Sequence, residues 1–243
     1  MASTSKTLAV ILGAGPGTGA SIARSLARDG SSVALLARNA QSLKEVAESV
    51  KQIGGDAVPF SCDATSQESI ESTFAEIRKQ WPEHRLTRAF FNATNPFIRK
   101  PFLELEKKDL NPGLDSNVYG AFYFSQAVIP QFLSNGEGFL CFSGATASLK
   151  GSAQFAAFAP SKFALRGLAQ SLAREFGGKG IHVAHAVIDG LIDTERVRGM
   201  AGEGEPGTRM DPDSIAESFL FLSKQPKDCW THELDLRPSA EKW

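Results

Sequence analysis

The segment Phe158-Ala-Pro-Ser-Lys162 sets an aromatic ring one helical turn ahead of a lysine. An ammonium group at such a site can grip a sugar hydroxyl or assist the transfer of a proton to a reacting oxygen. The transfer also needs a group that carries the proton, and the ring of Phe158 has no hydroxyl. The segment therefore places a lysine and an aromatic ring without a hydroxyl on one face of a predicted helix.

A glycine-rich turn upstream has a spacing that suits phosphate binding. Gly13, Gly17 and Gly19 follow the apolar run Thr7–Leu12, and Thr18 lies at the start of an amphipathic segment. Glycines let the backbone approach phosphate oxygens, and the N–H groups and dipole of a helix N-terminus hold their negative charge. This strand-to-helix junction predicts a site for a dinucleotide pyrophosphate.

Alternating apolar and amphipathic segments must position these two sites. The predicted strands are Thr7–Leu12, Ser32–Ala37, Ala57–Ser61, Leu86–Asn92, Gly138–Ser143, Ile181–Ile188 and Glu233–Leu236. The predicted helices are Gly17–Asp29, Ala40–Ile53, Gln67–Gln80, Lys108–Leu133, Gln154–Gly177 and Asp213–Ser223, the last capped by Asp213. Strands that are continuously apolar are typical of a parallel sheet covered on both faces. We therefore expect an α/β fold, a single Rossmann-like domain over residues 1–243 with a doubly wound parallel sheet and helices on both faces.

One glycine-rich stretch, residues 195–211, contains few large apolar residues and follows a predicted strand end. We expect it to be a loop that serves as a lid over the substrate, or else a surface insertion without a role.

Together these segments resemble the short-chain dehydrogenase/reductase family, and the resemblance runs from Leu8 to about Leu236. It implies a nicotinamide cofactor and a catalytic set made of an asparagine, a serine, a tyrosine and a lysine. Asn117, in Asn117-Val-Tyr-Gly120, and Lys162 match two of the four. Phe158 stands at the tyrosine position and Ala145 at the serine position, so both hydroxyls that would face a substrate carbonyl are absent.

The resemblance also implies cofactor contacts along the strand ends. Ala37 stands where an acidic residue would bind an adenosine ribose, and Arg38 follows it. Because a guanidinium can form paired, charge-assisted hydrogen bonds with a phosphate, Arg38 favours NADP(H), although an arginine at a strand end can also be simply solvated. The other implied contacts are Gly13, Gly17, Thr18, Gly19, Asp63, Ala64, Asn92, Ala93, Lys162, Ile192 and Thr194.

Several residues are candidates to replace the missing acid. Ser143 and Asp189 end two predicted strands near the expected nicotinamide pocket. A desolvated carboxyl at position 189 would be a fair proton donor, whereas a serine at a strand end more often bonds to nearby backbone. Tyr119 and Tyr123, the two tyrosines of the chain, are expected to pack, and His185 to be a core histidine.

These features favour an NADPH-dependent oxidoreductase that reduces a C=O, C=N or activated C=C bond of a small apolar substrate, with a non-standard or absent general acid. An iminium ion, for example, needs no proton during hydride transfer. Two alternatives stay open. One is a non-redox cyclase or isomerase that works by orienting its substrate, and the other is an NADP(H)-binding protein without chemistry.

The composition limits the classes of binding partner that we expect. The formal net charge of −1 gives no reason to expect nucleic acid, and no apolar run is long enough to cross a membrane. Cys62, Cys141 and Cys229 form no metal-binding pattern and are expected to be reduced core thiols of a cytoplasmic protein. We expect a small-molecule substrate, no metal, and a homodimer or homotetramer formed through the two longest helices. Small residues on these helices would permit close packing: Ala156, Ala157, Ala164 and Gly167.

Overall fold

Seven parallel strands form the central sheet of the computed structural model, which describes residues 6–94 and 97–241. They are β1 (Thr7–Leu12), β2 (Ser32–Ala37), β3 (Ala57–Ser61), β4 (Arg85–Phe91), β5 (Gly138–Ser143), β6 (Ile181–Ile188) and β9 (Glu233–Leu236). Their order across the sheet is β3-β2-β1-β4-β5-β6-β9. All seven predicted strands are confirmed, and the switch in direction between β1 and β4 places a crevice at their carboxyl ends.

Helices cover both faces of this sheet, as the apolar strands require. They are α1 (Thr18–Arg28), α2 (Ala40–Gln52), α3 (Gln67–Gln80), α4 (Lys107–Leu114), α5 (Ala121–Asn135), α6 (Ala159–Phe176), α7 (Glu195–Ala201) and α8 (Pro212–Ser223). Helices α1, α2 and α8 pack against one face and α3, α5 and α6 against the other. Every residue of β6 is buried between the two layers. The predicted doubly wound α/β fold is therefore confirmed.

The predicted helix Lys108–Leu133 is not one continuous helix. A π-helical turn, Asp115–Gly120, separates α4 from α5. This turn packs closely on the loop after β3, because a Cβ built at Gly120 would lie 2.5 Å from the Ala64 carbonyl oxygen. A π-turn widens the helix locally and is often found at functional sites, and this one contains Asn117.

The predicted helix Gln154–Gly177 begins five residues later than expected, at Ala159. Gln154 has a φ of 68°, a left-handed conformation that a helix cannot continue. Pro160, which suits the first turn of a helix, lies just inside the observed start. Phe158 is therefore the N-cap residue of α6 and not an interior residue.

The stretch 195–211 is more ordered than the predicted loop. It begins with α7, and it ends with β8 (Arg209–Met210), which pairs in parallel with β7 (Leu191–Ile192). The side chain of Thr194 caps α7 by accepting a hydrogen bond from the Val197 N–H at 3.3 Å. The prediction that Asp213 caps α8 is wrong, because Asp211 is the N-cap and its carboxylate accepts from the Asp213 N–H.

The expectation that all three cysteines are core thiols is partly wrong. Cys62 and Cys141 are buried, but Cys229 is exposed and is not a core thiol. None of the helices within residues 6–94 and 97–241 is long and apolar enough to cross a bilayer.

Candidate active site

A cavity of about 860 Å³ opens at the carboxyl ends of the central strands. Its wall contains most of the predicted site residues, which come from seven different segments of the chain. They are Gly13, Gly17, Thr18, Gly19, Arg38, Asp63, Ala64, Asn92, Ala93, Ser143, Ala145, Phe158, Lys162, Ile192 and Thr194. Asn117 and Asp189 lie outside this lining.

The glycine-rich turn is compressed against the end of β4. Gly13 has a φ of 96°, and a Cβ built there would lie 2.5 Å from the Ala93 nitrogen. Gly17 has a φ of 127° and caps α1 without a side-chain hydrogen bond. The backbone thus leaves room for a ligand directly in front of the first turn of α1, whose N–H groups have no side-chain acceptor. This cradle fits the pyrophosphate of a dinucleotide.

Asn92 ties three strand ends together behind the cradle. Its Nδ2 donates to the Gly13 carbonyl oxygen at 3.0 Å, and its Oδ1 accepts from the Ser143 hydroxyl at 2.8 Å. Asn92 follows β4, Gly13 follows β1 and Ser143 ends β5. The predicted ligand-binding asparagine therefore also holds the floor of the cavity in shape.

The adenosine end of the cavity carries one cation and one anion. Arg38 is exposed at the end of β2, and the Asp63 carboxylate accepts hydrogen bonds from both the N–H and the hydroxyl of Thr65 at 2.9 Å. The bond from the Thr65 N–H is the main reason that the pKa of Asp63 lies below its usual range, and the charge of Arg38 adds to this effect. Asp63 is thus kept ionised, and Arg38 remains available to a phosphate.

Lys162 is the buried cation at the other end of the cavity. Its side chain is 4% exposed, and its Nζ donates to the Ser143 carbonyl oxygen at 3.1 Å. Burial lowers the pKa of Lys162 from its usual 10.5 to about 8. The Nζ lies 6.0 Å from the centre of the Phe158 ring. At this position the ammonium group therefore lies over an aromatic ring and has no phenol hydroxyl beside it.

The two positions without hydroxyls lie side by side on the cavity wall. Phe158 and Ala145 both line it, and Ala145 uses its N–H to bond the Ser148 hydroxyl at 3.1 Å. Ser143, the candidate replacement, also lines the cavity, but its hydroxyl proton is already donated to Asn92. Ser143 could accept a hydrogen bond from a ligand, but its role as a replacement acid stays a prediction.

Asp189 lies behind the cavity and is paired. Its carboxylate accepts a hydrogen bond from the Thr146 hydroxyl and forms an ion pair with Arg237 at 3.2 Å. Both of these contacts are made with protein groups, and the carboxylate does not line the cavity. The geometry therefore gives no support to Asp189 as the acid.

Asn117 does not line the cavity but is bonded to the start of α6, and its catalytic role stays a prediction. It is fully buried within the π-helical turn, and its Nδ2 donates to the Ser161 hydroxyl at 3.0 Å. That hydroxyl donates in turn to the Phe158 carbonyl oxygen at 2.9 Å. The chain of bonds fixes the start of α6, and with it the direction of Phe158 and Lys162.

The two tyrosines of the chain cannot replace the missing phenol. Tyr119 is 53% exposed, and Tyr123 packs partly on the core beneath α5. Their rings stack on each other with centres 6.5 Å apart, and neither lines the cavity. His185 is fully buried and bonds to Glu233, as expected of a core histidine.

Three phenylalanine rings meet at the substrate end. Phe97 lies edge-to-face with Phe155 and Phe158, at centre distances of 5.1 and 5.3 Å. The loops that carry them are joined where the Lys100 N–H donates to the Gln154 carbonyl oxygen at 3.1 Å. Of the three rings, Phe158 lines this end of the cavity beside Lys162, and Phe97 and Phe155 pack against it.

Sequence reasoning missed Arg196, which also lines the cavity. It lies in the first turn of α7, within the stretch that the glycine content predicted to be a loop. A basic residue two positions after Thr194, next to the expected nicotinamide segment, was the available signal.

The geometry agrees with what comparisons with known proteins find. The family model for short chain dehydrogenases matches residues 7–203. The chain belongs to the short-chain dehydrogenase family.

Relatives in this family match over nearly the whole chain. Carbonyl reductase family member 4 of Danio rerio is 29% identical over 225 residues, which are 90% of this chain and 92% of that protein. A short-chain dehydrogenase from Rhodopseudomonas palustris has a TM-score of 0.81 at 31% identity, covering 96% of this chain and 98% of that one. The alcohol dehydrogenase of Thermococcus sibiricus, solved with 5-hydroxy-NADP, has a TM-score of 0.86 at 26% identity, covering 98% of each chain.

Proposed function

We propose that this member of the short-chain dehydrogenase family is an NADPH-dependent reductase that acts on a small apolar substrate without a tyrosine acid. The single observation that carries the proposal is the composition of the cavity. A complete dinucleotide cradle at Gly13 and Gly17 leads directly to a wall formed by Phe158, Ala145 and Lys162.

The cofactor is NADP(H). Arg38 lies at the cavity wall on the adenosine side, where its guanidinium suits a 2′-phosphate. The alcohol dehydrogenase of Thermococcus sibiricus was solved with a derivative of NADP, and a putative gluconate 5-dehydrogenase of Beutenbergia cavernae, 26% identical, was solved with NADP itself. The first turn of α1 would hold the pyrophosphate, and Lys162 the nicotinamide ribose.

The substrate end suits an apolar group that contains an electron-poor double bond. Phe158 contributes a ring where related enzymes would use a phenol, and Phe97 packs against it. Bound NADPH would supply a hydride. A C=N⁺ bond accepts it without a proton, while an activated C=C or a C=O needs one proton to complete the reduction.

Lys162 is the residue best placed to provide that proton. It lies at the cavity wall beside Phe158 and uses one N–H to bond the Ser143 carbonyl oxygen, which leaves its other N–H groups for a ligand. Its pKa of about 8 brings proton release close to neutral pH, which favours general acid catalysis. In this proposal, Lys162 both grips the ribose and protonates the product.

Stopped-flow measurement of NADPH oxidation against panels of imines, enones and ketones tests the function. We expect turnover with at least one class, and transfer of deuterium from C4-labelled NADPH to the product. Tight NADPH binding with no turnover in any of the three panels would rule out the reductase.

The loss of both carbonyl-facing hydroxyls, at Phe158 and Ala145, specifically favours a second candidate function, a non-redox cyclase or isomerase. A rigid apolar pocket can accelerate such a reaction by orientation alone. Product formed while NADPH absorbance stays constant, and also with NADP⁺ in its place, would identify this function.

We further propose a homodimer or homotetramer in a reducing, cytoplasmic compartment. Phe122 on α5 and Phe163 on α6 are 46% and 44% exposed, and Ala164 and Gly167 are exposed on the same stretch of α6. Ala157 is buried within the subunit and takes no part. Sedimentation of the wild type against Phe163→Glu tests this interface, and an unchanged mass would contradict it.

A further inference from the structure

Arg196 lies where two cavities meet. The main cavity and a second one of about 780 Å³ share four lining residues, Pro16, Gly17, Thr194 and Arg196. At this shared wall the glycine-rich turn touches the segment that leads into α7, since a Cβ built at Gly17 would lie 3.0 Å from Thr194 Cγ2. Arg196 is therefore beside the N-terminus of α1.

The N-terminus of α1 carries no acidic side chain. Its N-cap is a glycine without a side-chain hydrogen bond, and its first turn contains no acidic residue. A helix of eleven residues with such an end favours a negative charge in front of it. Gly17 also keeps the approach to these N–H groups open.

Arg196 differs from the other arginines around the second cavity. Those three form ion pairs with carboxylates, whereas Arg196 has an exposed side chain and no ion-pair partner among the residues that the structure describes. The three pairs are Arg24 with Asp213 at 2.8 Å, Arg198 with Asp193 at 2.8 Å, and Arg209 with Asp193 at 3.4 Å.

The helix that carries Arg196 is held in place on the site. Arg198 forms two hydrogen bonds with the Asp193 carboxylate, at 3.0 and 2.8 Å, and Thr194 caps the helix. Both anchors lie within two residues of Arg196. Its guanidinium is thus presented by a fixed backbone, which lowers the entropy cost of binding an anion.

We propose that Arg196 binds the pyrophosphate of NADP(H) from the α7 side, opposite the first turn of α1. This inference rests on the proposed cofactor. It assigns the two exposed cavity arginines to different phosphates, Arg38 to the 2′-phosphate and Arg196 to the pyrophosphate that NADPH and NADH share. Arg196 would thus add affinity without adding preference for NADPH.

Equilibrium binding of NADPH, NADH and adenosine 2′-monophosphate, measured by calorimetry, separates the two roles. We expect Arg196→Ala to weaken NADPH and NADH by the same factor, about tenfold for one charge-assisted contact, and to leave adenosine 2′-monophosphate unchanged. Arg38→Ala should weaken NADPH and adenosine 2′-monophosphate but not NADH. Arg28→Ala, which removes an exposed charge from the far end of α1, is the matched control and should change nothing.

Two results would overturn the assignment of Arg196. One is unchanged affinity of Arg196→Ala for both dinucleotides. The other is weaker binding of NADPH alone, which would mean that Arg196 binds the 2′-phosphate together with Arg38. If the wild type binds neither dinucleotide, the proposed function itself fails. Thermal unfolding of each variant, expected to match the wild type, excludes misfolding as the cause of weaker binding.

Discussion

The two ends of the cavity are built from different kinds of contact. At the cofactor end the wall is mainly backbone, with Gly13 pressed against Ala93 and Asn92 bonded to two strand ends. At the substrate end the wall is mainly side chain, with rings such as Phe158 packed edge-to-face. Backbone contacts depend on the fold and tolerate little change, whereas side chains can be replaced one by one. The hydroxyls could therefore be lost at one end without disturbance at the other.

Restoring the hydroxyls should give the largest effect. In Phe158→Tyr combined with Ala145→Ser, a phenol would lie beside the Lys162 ammonium and a serine on the same wall. We expect kcat/KM for ketones to rise by about 10²- to 10⁴-fold, the usual contribution of a general acid.

Phe158→Leu, which changes the shape without adding a hydroxyl, is the control and should give no gain for ketones. If the double variant binds NADPH normally but still does not reduce ketones, then the substrate end has diverged in shape as well as in chemistry.

Removal of the buried charge should separate activity from stability. Lys162→Met should abolish turnover and raise the free energy of unfolding at pH 7 by up to about 3 kcal/mol, because the fold no longer buries an ammonium group. Between pH 8 and 10.5 the unfolded wild type holds the proton and the folded one releases it, so wild-type stability should rise with pH in this window.

Urea denaturation at pH 7, 9 and 10 measures both effects. Lys150→Met, at an exposed lysine, should behave like the wild type. Wild-type stability that stays level or falls from pH 8 to 10 would mean that Lys162 is not held at a lowered pKa.

Removal of the Asn92 hydrogen bonds behind the cradle should weaken cofactor binding as well as stability. Asn92→Ala removes the bond to Gly13 and leaves the Ser143 hydroxyl without its acceptor, which should cost about 1–3 kcal/mol of stability and weaken NADPH binding. Ser143→Ala removes only one of the two bonds and should cost about 1 kcal/mol. Equal losses in the two variants, by chemical denaturation, would argue against Asn92 as the link between the strand ends.

Changes in the loop before α6 should have the smallest effect and leave the cofactor end untouched. Gln154 adopts a left-handed φ that asparagine tolerates well and β-branched residues do not. We expect Gln154→Asn to be neutral and Gln154→Val to lose about 1 kcal/mol and raise KM for the substrate, with NADPH affinity unchanged in both. Loss of NADPH affinity in Gln154→Val would show that the two ends are coupled.

The sheet and the cofactor end could be predicted because their signals are local. Continuous apolar runs mark parallel strands, and the glycine spacing at Gly13 and Gly17 marks the cradle. The π-helical turn at Asn117 could not be predicted, because its residues keep an ordinary helical pattern and the close approach of Gly120 to Ala64 is a tertiary contact that the local sequence does not reveal.

Other misses have similar tertiary causes. Apolar residues before Ala159 extend the helical pattern of α6, although the left-handed Gln154 and Pro160 set its true start. Glycines near α7 suggested a loop, but Asp193 anchors that helix through ion pairs with Arg198 and with Arg209, the latter 16 residues along the chain. Arg196 was missed for this reason.

The single main-chain bond between the Lys100 N–H and the Gln154 carbonyl oxygen has a consequence for how this enzyme can change. Because it joins the loop after β4 to the loop before α6 through backbone atoms, side chains along both loops can vary while this bond stays in place. Substitutions in these two loops can therefore change the surface that they present without cutting this link, with the exception of proline at position 100, which has no N–H to donate.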